Sequence, residues 1–294
     1  MNKTLLKVTV AAVLLVILMA GVWAFRAQIG GAVKSMRAES LLTKSETQLG
    51  DGKFREASQS ATAAWQLQTG GVEFLKKLLP QARELNLPEL PEITLLAFLH
   101  PDAGVTDQVE ILEWAVSRRD VPFFHQLKAS LPSETQLTPE VRYLLATAFA
   151  QEGRLIEAIE VARELEAGTE KATEATLLLT AILPRLDRNP LAWTQARERI
   201  AKLLKHEDPE VSISAWRHLR LLPLEERDLG PDFDPLQWIS EHPEAKAADR
   251  FLASQLEFYR LPPERRTAEI DVISREYADQ SDVVPLLARW FLEE

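Results

Sequence analysis

Residues 143–159 read YLLATAFAQEGRLIEAI. Apolar residues recur there at helical spacing, Gly153 interrupts them, and the pattern resumes at Leu155. The reading is a helix, a tight turn and a second helix. Ala146 and Ala158 are small enough for the paired helices to approach closely, and Leu145 and Phe149 fill the space between them. Gly153 suits a turn that needs positive φ, which larger residues resist. One such hairpin cannot bury its apolar face alone, so neighbours must stack on it.

The same texture extends outward. From residue 32 the chain falls into apolar-periodic blocks of roughly 12–18 residues, separated by short Pro, Gly, Asp or Asn breaks. Helix starts are expected near Ala32, Lys53, Val72, Pro91, Thr106, Val121, Pro139, Arg154, Glu170, Pro190, Pro209, Pro235, Pro243, Pro263 and Asp282. Thr138-Pro139, Asn189-Pro190, Asp208-Pro209 and Asp234-Pro235 each set an N-cap residue before a proline at the first helical position. No alternating β-branched run reaches strand length. Many helices with short connections predict an all-α, antiparallel helical array.

A second stretch, Leu41 to Leu67, aligns with the first without gaps and contains Gly52, Phe54, Ala57, Ala61 and Ala64. Together the two resemble the tetratricopeptide repeat, a helix–turn–helix unit of about 34 residues. Leu145 and Ala146 match the family's Leu-Gly pair, and Phe149 matches its first-helix aromatic. Gly153 fits the turn, Leu155 the large residue after it, and Ala158 the small second-helix position; Ala162 departs, standing where the family prefers an aromatic. In the earlier copy Ser45, Gly52, Phe54, Ala57 and Ala64 match, while Lys44, Gln48 and Ala61 do not. Residues 70–135 and 170–280 keep the helical period but lack the motif.

The resemblance implies a TPR-like α-solenoid over 38–294, with its clearest repeats at 38–70 and 139–171. It further implies that exposed first-helix positions line a groove for a partner's peptide or helix. Carried onto this chain, those positions are Tyr143, Thr147 and Gln151 in one copy and Glu39, Leu42 and Glu46 in the other.

At the N-terminus, residues 1–7 form a basic tail with Lys3 and Lys7, and residues 8–25 run VTVAAVLLVILMAGVWAF without a charge. As a helix this run is about 27 Å long, near the thickness of a bilayer core. Arg26 and Trp23 sit where interfacial residues belong. The segment reads as an uncleaved transmembrane signal anchor; the alternative is a signal peptide cleaved after Val22-Trp23-Ala24. Residues 26–37 then serve as a juxtamembrane linker. Long C-terminal domains usually cross the membrane whatever their charge, so the body is expected outside the cytoplasm, in a bacterium the periplasm.

Net charge is −10, yet residues 1–50 carry six basic residues against two acidic ones. The acidic body repels phosphate backbones and argues against nucleic acid as a partner. Cysteine is absent, which excludes disulfides, thiolate metal sites and cysteine nucleophiles. The five histidines show no metal spacing, and no P-loop, Gly-x-Gly-x-x-Gly or Gly-x-Ser-x-Gly occurs. His100-Pro101-Asp102 spells a co-chaperone tripeptide, but the helix before it is apolar rather than basic, and it reads as a turn. Asp228, Asp232 and Asp234 read as a loop and a cap, and the tryptophans as packing between hairpins.

These readings predict a membrane-tethered adaptor that binds other proteins, without catalysis, cofactor or metal. Two others stay open. One is a structural subunit or fragment of a larger solenoid that self-assembles, for which the C-terminal Leu287-Ala-Arg-Trp-Phe-Leu292 looks like the first helix of a further repeat unless Leu287, Phe291 and Leu292 pack back. The other is an enzyme with an unrecognised site among the acidic loops.

Overall fold

Glycine is not needed at every tight turn of this chain, as its backbone makes plain. The computed structural model describes residues 30–67, 71–186 and 189–293, and among them every regular element is helical. The chain divides into two compact units, one up to Ile111 and one from Leu112 onward.

The first unit holds α1 (residues 30–50), α2 (Phe54–Gln66), α3 (Val72–Glu84), α4 (Leu90–Leu99) and the start of α5 (Val105–Ser117). Helix α1 is formed from residue 30, so the segment 26–37 expected as a linker is helical over its described part. Ala38, Leu42, Ala57, Ala61 and Ala64 are buried. Two hydroxyls tie α1 to α2: fully buried Ser45 donates to the Ala57 carbonyl at 3.0 Å, and Ser60 donates to Gln48 Oε1 at 2.8 Å. Helix α3 packs on α2 and α4, where Leu78, Ile93 and Phe98 are fully buried. Each such side chain contributes about 1.5–3 kcal/mol of burial.

The second unit continues through α6 (Val121–Ala129), α7 (Ser133–Gln136), α8 (Pro139–Glu152), α9 (Leu155–Glu166), α10 (Ala172–Ile182), α11 (Pro190–Leu203) and α12 (Pro209–His218). It ends with α13 (Pro235–Glu241), α14 (Ala247–Arg260), α15 (Pro263–Tyr277) and α16 (Val284–Glu293). Helices α8 and α9 pair, α9 packs on α10, and α10 packs on α11 and α12. Ala146, Ala158 and Ala162 are fully buried, so small side chains set that close approach. A second core gathers Phe251, Phe258, Ile273, Tyr277, Val283, Leu287 and Trp290. There the Trp290 ring meets Phe258 edge-on at 4.9 Å and Phe251 at 5.8 Å. Of the three C-terminal apolar residues that one of the sequence readings packs back, Leu287 is buried, while Phe291 and Leu292 are exposed.

The helix starts follow the sequence closely, with two corrections. Helix α14 begins at Ala247, not near Pro243, and the single turn α7 was not anticipated. Asn189, Asp208 and Asp234 cap their helices, accepting from the amides of Ala192 (3.1 Å), Glu210 (2.9 Å) and Gln237 (2.9 Å). Thr138 does not cap, because its hydroxyl turns back to donate to the Thr135 carbonyl at 3.0 Å.

Four turns share one geometry. Gly52, Asn86, Arg119 and Gly153 all have left-handed backbones, with φ of 74°, 48°, 58° and 80°, at intervals of 34, 33 and 34 residues. At each, the left-handed residue's N–H donates to the carbonyl three residues back, and the next N–H donates to the carbonyl five residues before it. Gly52 to Leu49 and Lys53 to Gln48 thus match Asn86 to Arg83 and Leu87 to Ala82. Arg119 to Val116 and Asp120 to Ala115 match Gly153 to Ala150 and Arg154 to Phe149. This double closure is the Schellman motif, which satisfies the last carbonyls of a helix. Seven residues before each left-handed position stands a buried side chain: Ser45, Leu79, Leu112 and Ala146.

The apolar run at 8–25, read as an anchor, lies outside the described residues. Among the described residues no helix is long and apolar enough to cross a membrane.

Candidate binding surface

Tyr143, Thr147 and Gln151 are spaced by four along α8 and so share one face. Tyr143 and Thr147 are half-buried and Gln151 is exposed. The Thr147 hydroxyl donates to the Tyr143 carbonyl at 3.0 Å. Burial pushes the Tyr143 phenol above its usual range; the Thr147 hydroxyl works against that, and Glu174, Lys171 and Glu113 act on it electrostatically. Lys171, just before α10, is paired with Glu174 at 2.9 Å. The Gln151 amide is engaged in the fold, since Nε2 donates to the Val116 carbonyl at 3.0 Å.

The earlier set lies in the other unit. Glu39 and Glu46 are exposed on α1, seven residues apart. Leu42 is only 3% exposed and belongs to the core, and its carbonyl accepts from Gln81 Nε2 at 3.4 Å. Its apolar side chain is more stable in the core than lining a wet groove, so α1 presents carboxylates alone at these positions.

A groove of about 480 Å³ that the sequence did not indicate runs between α13, α14 and α15. Leu236, Ile239, Phe258, Leu261, Ile273 and Tyr277 supply its apolar lining, and Arg250, Glu257, Glu269 and Glu276 its charged positions. No sequence motif marks it, because its walls come from three helices with unrelated local patterns.

The acidic loop is tied to α14. Asp228 accepts from Arg260 Nη2 at 2.8 Å and from the Gly230 amide at 3.1 Å, and Arg260 holds its carboxyl below the usual range. Asp234 is a helix cap and Asp232 is exposed. His100 Nδ1 accepts from the Asp102 amide at 3.1 Å, closing the His-Pro-Asp turn. Among the described residues no group of three or more His, Asp or Glu is placed to hold a metal ion.

Among the described residues the most buried charge is Asp249, in the first turn of α14. Arg217 grips it bidentately, with Nε at 3.0 Å from one oxygen and Nη2 at 2.8 Å from the other. Arg220 stands 3.6 Å away, and the Lys246 amide donates to it at 3.1 Å. Burial alone would raise the carboxyl's pKa; Arg217, the Lys246 amide and Arg220 outweigh it and hold the group below its ordinary range. The pair fixes α12 to α14.

No protein-family model matches this chain, and no curated protein matches it.

Proposed function

We propose that this chain is a TPR-like helical-repeat protein that binds a protein partner and performs no catalysis. Its apolar N-terminal run tethers it to a membrane, with the body on the far side from the cytoplasm. The observation that carries this reading is the recurrence of one Schellman turn at Gly52, Asn86, Arg119 and Gly153, 33–34 residues apart. That interval is the length of a tetratricopeptide unit. It also supports repeats at 70–135, where the sequence motif fades. Tandem hairpins of this kind set their first helices side by side, and that face receives a partner's extended segment or helix. In this chain the face centres on Tyr143, whose ring is half-buried and ready to cover an apolar side chain.

The test is site-specific photo-crosslinking in native membranes, using full-length chain with a photoreactive residue at Tyr143, at Thr147 or, as a control, at exposed Glu160 on α9. One protein recovered through positions 143 and 147 but not 160 supports the reading. Recovery of this chain alone replaces it with self-assembly of a structural subunit. Equal recovery at all three positions removes the claim for the α8 face.

A further inference from the structure

Helices α13 and α15 both pack on α14, and the groove of about 480 Å³ lies among the three. Ile239, Phe258, Ile273 and Tyr277 are buried and give it an apolar floor. Leu236, 46% exposed, and half-buried Leu261 stand in its walls. The Ser254 and Tyr277 hydroxyls meet at 3.2 Å, which fixes α14 beside α15. A short turn joins these two helices, so they run antiparallel.

The charges along the groove are uneven. Glu257 pairs with Arg260 at 2.8 Å, so its charge is compensated. Glu269 and Glu276 have no ion-pair partner among the described residues. They lie two turns apart on α15, about 10 Å, on the face that also carries Ile273 and Tyr277. Burial pushes the Tyr277 phenol above its usual range, and Glu276 adds to this by its charge and a hydrogen bond. A phenol bonded to a carboxylate leaves the carboxylate's charge in place. Arg250 is the cation of the described lining, one turn before Ser254 and so toward the Glu276 end. Glu269 stands at the other end, toward the turn between the helices.

We infer that this groove receives an amphipathic helix of a partner protein, with apolar side chains along one face and lysine or arginine beside them. The apolar face fits the floor and covers Leu236. Cations two turns apart on the visiting helix match the spacing of Glu269 and Glu276. The net charge of −10 draws a cationic partner from a distance and repels a second copy of this chain. A lipid chain would set hydrocarbon against two carboxylates, which is costly. The groove is separate from the α8 face, and its test does not involve Tyr143.

The experiment is fluorescence anisotropy on full-length protein in an uncharged detergent, with protein-free micelles as the blank. The probe is a labelled amphipathic helical peptide with leucine along one face and lysine on both flanks; its control carries glutamate in place of lysine. Saturable binding of the lysine peptide is expected, at least about threefold weaker in the double variant Glu269→Gln, Glu276→Gln. Leu236→Asp, at an exposed position that leaves the core intact, is expected to weaken it about tenfold. The double variant Glu269→Lys, Glu276→Lys should reverse the preference and favour the glutamate peptide, a result that loss of folding cannot imitate. No saturable binding up to millimolar peptide, or equal binding of both peptides by the parent, overturns the proposal. A dimer in sedimentation that Leu236→Asp dissolves would assign the groove to a second copy and overturn it as well.

Discussion

Gln151 donates its side-chain amide to the main-chain carbonyl of Val116 at 3.0 Å. That carbonyl also accepts from the Arg119 amide at 2.9 Å, within the Schellman closure at the end of α5. One repeat length later the relation recurs: Arg185 Nη1 donates to the Ala150 carbonyl at 3.3 Å, the carbonyl that closes the turn at Gly153. In both places a side chain near the end of one helix ties down the turn of the preceding hairpin. The polar bond repeats with the fold, although the donor is an amide in one case and a guanidinium in the other.

Removing either tie is expected to loosen the neighbouring turn. Gln151→Ala and Arg185→Ala should each cost about 0.5–1.5 kcal/mol, the net worth of an ordinary hydrogen bond. Urea unfolding of the full chain measures this. A variant with an unchanged midpoint would show that water replaces the tie at no cost.

The left-handed turns predict opposite effects at two equivalent positions. Arg119 carries a side chain at φ 58°, so Arg119→Gly should stabilise the protein by about 1 kcal/mol. A Cβ at Gly153 meets nothing within 4 Å, so Gly153→Ala should cost only the conformational penalty, again about 1 kcal/mol. Thermal melts of the two variants, moving in opposite directions, would support a shared turn geometry. A shift of the same sign in both would refute it.

Asp249 predicts an acid limb. Its folded-state pKa lies below the unfolded value. Its stabilisation is therefore complete above about pH 4, the ordinary aspartate range, and is lost as pH falls through the folded pKa. Asp249→Asn leaves Arg217 and Arg220 facing an amide and is expected to cost about 3–5 kcal/mol at neutral pH. The variant should also lose the parent's stability decline below about pH 4. Chemical denaturation from neutral to acid pH reads both effects, and a parallel decline in parent and variant would assign the acid limb to other groups.

The tether and its sidedness are open to a direct chemical test, since the chain has no cysteine of its own. Ser133 is exposed at the start of α7. Full-length Ser133→Cys should react with a membrane-impermeant maleimide in intact cells and stay with the membranes on fractionation. Labelling only after lysis would place the body in the cytoplasm, and recovery in the soluble fraction would favour a cleaved signal peptide.

Much of the fold was legible in the sequence because it rests on local rules. Helical periodicity, proline at the first helical position, and Asn or Asp before it put most helix starts within a residue or two of their observed positions. Gly52 and Gly153 announced their turns, since glycine adopts positive φ without strain. The turns at Asn86 and Arg119 were not legible, because asparagine adopts the left-handed region without requiring it and arginine rarely adopts it. The even intervals emerge only in the folded backbone.

The candidate sites divide in the same way. The family pattern brought Tyr143 and Thr147 into view, since their spacing along one helix is a property of the sequence. It also named Leu42, which the neighbouring helices bury, and Gln151, whose amide the preceding turn engages. The groove between α13, α14 and α15 joins residues between 236 and 277, and no local pattern relates them. By itself the sequence determined that this chain is helical, where the helices begin and which turns must be tight, because those follow from backbone sterics and short-range hydrogen bonds. The tertiary structure decided which side chains are buried, which carbonyls are shared between hairpins and which charges converge, because burial and proximity depend on contacts between segments distant along the chain.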